Sequence, residues 1–136
     1  MQAELTVRRA RRDDFARVQT LLGASASASR ADRKRFRRLV STLREDLYVV
    51  EHDGTALLAG FAVIAYVRGL GAGTAIVREL HGSDEAATLL LGCARRRAAA
   101  RGCRWLEVHR NAGEPALPAD FEWHDEGHIH RRPVAP

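Results

Sequence analysis

Residues 75–102 (AIVRELHGSDEAATLLLGCARRRAAARG) read as a strand, a short turn and a long helix, and no other stretch constrains the fold as tightly. Ser83 can N-cap the helix, Asp84 and Glu85 suit its first turn, and Gly102 stands at C′. Leu89, Leu90, Cys93 and Ala94 share one face at helical spacing. The segment that follows, 103–109 (CRWLEVH), alternates as a strand with Leu106 and Val108 on one side and Trp105, Glu107 and His109 on the other. Helix 83–101 is then a crossover between two strands of one sheet. Its N-terminus is an anion site by virtue of bare N–H groups and the helix dipole. Asp84 and Glu85 already place two carboxylates there, and they oppose a second anion.

The flanking sequence supplies the rest of a mixed sheet. Residues 5–10 alternate as a strand. Asp13 and Asp14 open a helix with Phe15, Val18, Leu21 and Leu22 at helical spacing, and Gly23 stops it. Residues 23–29 are small and polar and form a loop. A second helix is predicted from about Asp32 to Glu45, with Phe36, Leu39, Val40 and Leu43 on one face and arginines on the other. Residues 47–51 form a strand, and Asp53-Gly54 is a hairpin signal. Residues 56–67 form a long apolar strand, buried on both faces, with Gly60 a candidate bulge. A turn at 69–73 leads to a strand over 74–80. Pro115 and Pro118 exclude a regular helix through the middle of 111–120, and 121–134 closes as a hairpin around Gly127. The order is β-α-α-β-β-β-α-β-loop-β-β, an α/β (α+β) domain with three helices.

Composition limits the function classes. The 136 residues, 46% hydrophobic and 29% charged, are enough for one domain with its own core. No apolar run approaches the ~20 residues of a membrane span, and MQAELTVRRA lacks a signal-peptide core, so a cytoplasmic location is the expectation. Cys93 and Cys103 are too few for a disulfide framework or a zinc site and read as reduced core thiols. The formal charge of +5 comes almost wholly from arginine, because Lys34 is the only lysine. A basic protein attracts nucleic acid, acidic protein or phosphorylated ligands, and charge alone does not choose among them.

Several segments, in order, carry a resemblance to the GNAT N-acetyltransferases. LTVRRARRDDFARVQTLL resembles that family's opening strand and first helix, and LYVVEHDGTALLAGFAVIAYV its second and third strands. ARRRAAARGCRWLEVHRN resembles the end of its central helix and its fifth strand, and FEWHDEGHIHRRPV its final hairpin. The resemblance covers almost the whole chain. It implies a mostly antiparallel sheet of six or seven strands flanked by three helices, and acetyl transfer from acetyl-CoA to an amine of a small molecule or a protein. It also admits a homodimer.

It further implies where the chemistry lies. In the family a Q/R-x-x-G-x-G/A loop cradles the coenzyme pyrophosphate, and the matching stretch here is 81–86, HGSDEA. The implied coenzyme contacts are Leu80, His81, Gly82, Ser83 and Ala86. His81 stands in place of Gln or Arg, Asp84 in place of the first glycine, and only Ala86 conforms. One carboxylate ~4 Å from a phosphate charge costs about 4 kcal/mol at an effective dielectric near 20, so weakened coenzyme binding is the expectation. The family's tyrosine acid would fall at Pro118. The implied base is Glu79, with Glu107 and His109 on the neighbouring strand as the other catalytic candidates. Partial burial is expected to raise the Glu79 pKa, with Arg78 pointing to the opposite face. A salt-bridge partner for Arg78 or Arg104 is the structural alternative for Glu79.

Three further patterns complete the reading. His124, Asp125, Glu126, His128 and His130 cluster metal-capable side chains without fixing a third ligand by spacing. GLGAG at 69–73 precedes a strand and therefore reads as a turn, not a dinucleotide fingerprint. Arg33, Lys34, Arg35, Arg37 and Arg38 crowd the second helix, either as a solvated face or as an anionic-partner surface through Arg35 and Arg38. The competing function classes are thus a divergent acetyltransferase, an inactive protein-association module on the same scaffold, and a basic nucleic-acid-binding protein.

Overall fold

A computed structural model describes residues 4–23, 29–68, 70–109, 124–126 and 129–134. In chain order the elements are β1 (Leu5–Arg9), a 3-10 turn (Arg12–Asp14), α1 (Phe15–Leu22), α2 (Arg30–Ser41), β2 (Glu45–His52), β3 (Leu58–Val67), β4 (Gly73–Gly82), α3 (Asp84–Ala100), β5 (Cys103–His109), β6 (His124–Glu126) and β7 (Ile129–Pro133). The strands form one seven-stranded sheet in the order β1-β2-β3-β4-β5-β7-β6. Only the β4–β5 pair is parallel, and α3 is its crossover. No helix among the described residues is long and apolar enough to cross a membrane.

The sheet is covered on both faces, which explains why Leu58 through Ile64 of β3 are all buried. On one face, Val50, Ala62, Ile64, Ala75, Val77, Leu80, Leu106 and Val108 pack against Ala86, Ala87, Leu90, Leu91, Ala94 and Ala98 of α3. The alanines bring α3 close to the strands. Each fully buried leucine is worth about 1.5–3 kcal/mol. On the other face, Leu47, Val49, Leu58, Phe61 and Val63 pack beneath Val18 of α1 and Phe36 of α2.

Several sequence expectations shift. Helix α2 begins at Arg30 because Ser29 and Asp32 form a reciprocal capping box. It ends at Ser41, where Thr42 turns extended and Glu45 enters β2 opposite Ala65. Leu43 is therefore 85% exposed and not part of a buried helix face. In α3 the leucines against the sheet are Leu90 and Leu91, whereas Leu89 is 36% exposed. Gly60 is not itself the bulge: Val50 pairs with Gly60 and Glu51 with Leu58, so Ala59 is the extra residue. Strands β3 and β4 do pair as a hairpin, with Val67 opposite Thr74, although Gly69 of the turn lies outside the described residues. The closing hairpin is present as β6 paired with β7, although Gly127 and His128 lie outside the described residues.

Candidate active site

The distinctive geometry is at the C-terminal end of β4. Strand β3 pairs Val63 with Glu79 but Ile64 with Val77, leaving Arg78 as an extra residue. This bulge resets the alternation of side chains. Val77 consequently faces α3 and is buried, whereas Glu79 faces the α1/α2 side. Arg78 does not turn away as expected: its guanidinium stands 3.9 Å from Glu45, also on the α1/α2 side.

The bulge coincides with an opening in the sheet. Parallel pairing between β4 and β5 ends at Val77 and Val108, yet β4 continues beside β3 as far as Gly82 opposite Gly60. From Arg78 to Gly82 the β4 edge that would face β5 has no β5 partner among the described residues. Glu79 lies two residues past the last pair and His109 one residue past it, so they flank the mouth of this opening. Glu107 sits before the mouth, opposite Ile76. Trp105, Glu107 and His109 project to the α1/α2 face, because Leu106 and Val108 fill the α3-side core.

Glu79 and His81 form a pair on that same face, with His81 Nε2 3.5 Å from Glu79 Oε1. Nε2 is buried and has no hydrogen-bond partner among the described residues, so the contact is not a well-formed hydrogen bond. The imidazole stacks on Phe61, with ring centroids 6.2 Å apart and planes 15° from parallel. The His81 imidazole holds the Glu79 carboxyl below the ordinary carboxylate range, and Arg78 acts in the same direction. Together they outweigh the half-burial that pushes it up. The expected upward shift is therefore overturned: Glu79 is a firmly ionised carboxylate at neutral pH.

The strand-to-helix turn is reduced to Ser83. Leu80 is 1% exposed and faces α3, so only its backbone can meet a ligand. Gly82 has φ +125, and a Cβ there would stand 2.2 Å from the Ala59 carbonyl oxygen. Ala86 is fully buried against Gly60, where a Cβ would stand 2.8 Å from the Ala86 Cβ. Ser83 Oγ accepts from the Ala86 N–H at 3.2 Å, and the Ser83 carbonyl accepts from Ala87 N–H at 2.9 Å. The N–H groups of Asp84 and Glu85 remain as open donors among the described residues. Their two side chains are exposed, so they can rotate into solvent, and repulsion of a phosphate falls from about 4 toward about 1 kcal/mol.

Other groups are excluded from this site by position. Tyr66 donates to Asp46 at 2.5 Å beneath α3, and Arg9, Arg97 and Arg101 converge on the same buried carboxylate. Tyr48 belongs to the same side, so neither tyrosine reaches the opening. Sequence reasoning missed this network because nothing in EDLYVV marks Asp46 as buried. A cleft of about 510 Å³ beside α1 is lined by Ala16, Arg17, Thr20, Leu21 and residues 56–58 and includes none of the catalytic candidates. Cys93 and Cys103 are free and buried, as expected. Pro118 and the side chains of His124, His128 and His130 lie outside what is described, and the described residues contain no metal-binding group of three or more ligands.

The sequence itself finds no counterpart: no family model matches it, and no curated protein does. Solved structures do resemble it. A transcriptional regulator from Bacillus halodurans C-125 superimposes with TM-score 0.68 at 15% identity, covering 91% of this chain and 97% of that one. A protein assigned to the GNAT family from Desulfovibrio desulfuricans gives TM-score 0.67 at 13% identity, covering 97% and 100%. An acetyltransferase from Trypanosoma brucei gives TM-score 0.65 at 13% identity, covering 91% and 96%. At such identities the likeness is one of architecture, and with the splayed parallel pair and the inserted β7 it shows that this chain has the fold of the GNAT-family N-acetyltransferases.

Proposed function

We propose that this protein transfers an acetyl group from acetyl-CoA to an amine, holding the coenzyme more weakly than a glycine-rich phosphate loop would. The observation that carries this reading is the opening between β4 and β5 beyond Val77 and Val108, with Glu79, His81 and His109 on one face of its mouth. The fit to acetyl-CoA is uneven. The unpaired β4 edge from Arg78 to Gly82 offers backbone donors and acceptors to an extended amide-bearing chain, in the manner of an added strand. The α3 N-terminus offers the N–H groups of Asp84 and Glu85 to a phosphate, but Ser83 alone replaces the longer loop, and two carboxylates stand beside it.

Acetyl-CoA would supply an acyl thioester: the amine would form a C–N bond at its carbonyl carbon while the C–S bond breaks, and coenzyme A would leave as a thiolate that takes a proton from solvent. Glu79, ionised through the neutral range, accepts a hydrogen bond from the incoming ammonium and takes its proton directly or through one water. His81 keeps that carboxylate charged and fixes it on the α1/α2 face, while its own ring is held flat against Phe61. His109 stands across the mouth on β5. The reduced, buried Cys93 and Cys103 fit a cytoplasmic enzyme.

Asp84 and Glu85 favour a second reading, a scaffold that no longer binds coenzyme and associates with protein instead. Calorimetric titration with acetyl-CoA, followed by thiol-release assays against a panel of amines, separates the two. Binding in the high-micromolar range with turnover of at least one amine supports the transferase. No heat of binding at millimolar acetyl-CoA overturns it in favour of the scaffold.

A further inference from the structure

Helix α2 carries the charge of the whole molecule. Its twelve residues hold six cations, Arg30, Arg33, Lys34, Arg35, Arg37 and Arg38, against the single acid Asp32, a balance of +5. That equals the net charge of the chain, so the other 124 residues are neutral overall, with sixteen basic and sixteen acidic side chains. Elsewhere several arginines are held in pairs: Arg8 and Arg17 by Asp14 and Glu51, and Arg9, Arg97 and Arg101 by Asp46. On α2 only Arg35 has a carboxylate within reach among the described residues, Asp32 at 3.7 Å. All six cations are exposed.

The helix is also rigidly placed. Phe36 is buried and packs on Phe15 at 5.4 Å, Leu39 and Val40 lean on the same core, and the Ser29–Asp32 capping box fixes the N-terminus. Arg30, Arg33, Lys34 and Arg37 stand at i, i+3, i+4 and i+7 and line one open cleft. This stripe, not Arg35 and Arg38 alone, is the continuous cationic feature. It rises about 10 Å along the helix, the axial length of about three phosphates on one strand of B-form duplex. The outer face presents no exposed side chain larger than Ala31 that is apolar, so it lacks the hydrophobic centre by which protein partners are usually held.

We infer that the outer face of α2 binds the phosphate backbone of a nucleic acid without reading its sequence, independently of acetyl transfer. Forked guanidinium groups suit phosphate oxygens, and an α-helix of this width can lie along a duplex groove. The face has no Asn or Gln to read base edges and no exposed aromatic ring to stack on a base.

The test is fluorescence anisotropy with a labelled 20-base-pair duplex of arbitrary sequence, titrated between 50 and 200 mM salt. Four phosphate contacts predict a slope of about −3 to −4 in a plot of log affinity against log salt. Lys34→Gln with Arg37→Gln should reduce that slope by about 2 and leave the melting temperature unchanged. Arg96→Gln with Arg104→Gln removes the same charge from exposed sites elsewhere and should leave the slope intact. The proposal is overturned by absence of binding at 50 mM salt, by equal loss in the two double variants, or by a polyglutamate of equal charge binding as tightly as the duplex.

Discussion

His81 Nε2 stands 3.5 Å from Glu79 Oε1, and the bulge at Arg78 turns both side chains away from the α3-side core onto the α1/α2 face of β4. The pair sets the protonation of the proposed base. With its folded pKa lowered, Glu79 stays ionised until pH falls below the usual carboxylate range. Glu79→Gln keeps the shape and removes the base, and should lower turnover at least about tenfold, equal to ~1.4 kcal/mol of barrier. His81→Gln should shift the acidic limb of the pH–rate profile upward, because the carboxyl loses the neighbour that holds it down. A profile unmoved by His81→Gln, or full activity in Glu79→Gln, would transfer the role to His109 or Glu107.

The helix N-terminus gives a second expectation. Asp84→Gly with Glu85→Gly removes two carboxylates from beside the open N–H groups, and acetyl-CoA affinity should rise several-fold, read by calorimetry. The gain is limited because both side chains are exposed and screened. A low-micromolar dissociation constant for the wild-type protein would show that the phosphate lies elsewhere.

Legibility of the fold in the sequence followed the strength of local signals. Helix α3 was readable from Ser83 to Gly102 because both caps are chemical: Ser83 accepts from Ala86 N–H, and Gly102 adopts φ +72. The β3–β4 and β6–β7 hairpins followed from glycine-bearing turns. The end of β4 that carries the proposed site was not readable. Strict alternation through AIVREL would put Glu79 beside Val77 in the α3-side core, and a bulge has no residue signature there. The extension of β4 through His81 and Gly82 depends on pairing with Phe61 and Gly60, which is tertiary information. The end of α2 was misplaced for a related reason: the pairing of Glu45 with Ala65 overrides a helical pattern that nominally continues through Leu43.

Two glycines with positive φ should respond differently to alanine. A Cβ at Gly82 would meet the Ala59 carbonyl oxygen at 2.2 Å and the Gly60 Cα at 2.6 Å, both backbone atoms that cannot swing aside. Strain and overpacking together should cost about 3 kcal/mol or more, and would shift the β3–α3 contact at Gly60 and Ala86. Gly102 has φ +72 but open space around its Cα, so Gly102→Ala should cost only about 1 kcal/mol. Denaturant unfolding of both variants checks the difference, and equal costs would mean that Gly82 relaxes without disturbing β3.

The last expectation concerns acid stability on the α1 side. Arg8 forks onto Asp14 through two 2.8 Å bonds and reaches Glu51 at 2.6 Å, with Arg17 at 3.2 Å from the same Glu51 oxygen. Burial pushes Asp14 up, but Arg8 and the Arg11 N–H hold it below its ordinary value, and Arg8 chiefly does the same for Glu51. Both folded pKa values are lowered, so this stabilisation is present above the usual carboxylate range and is lost as pH falls through the folded values. Arg8→Gln leaves the 2% exposed Asp14 with only Arg17, at 3.5 Å, as a cationic partner among the described residues. It should cost about 2–3 kcal/mol at pH 7, toward the lower end for a broken buried pair because Glu51 can turn to water. The gap between wild type and variant in urea unfolding should then narrow steadily below about pH 4, where both carboxyls protonate in either protein. A gap of unchanged size at pH 3 would mean that Arg8 stabilises the β1–α1 junction by packing its stem and not by charge.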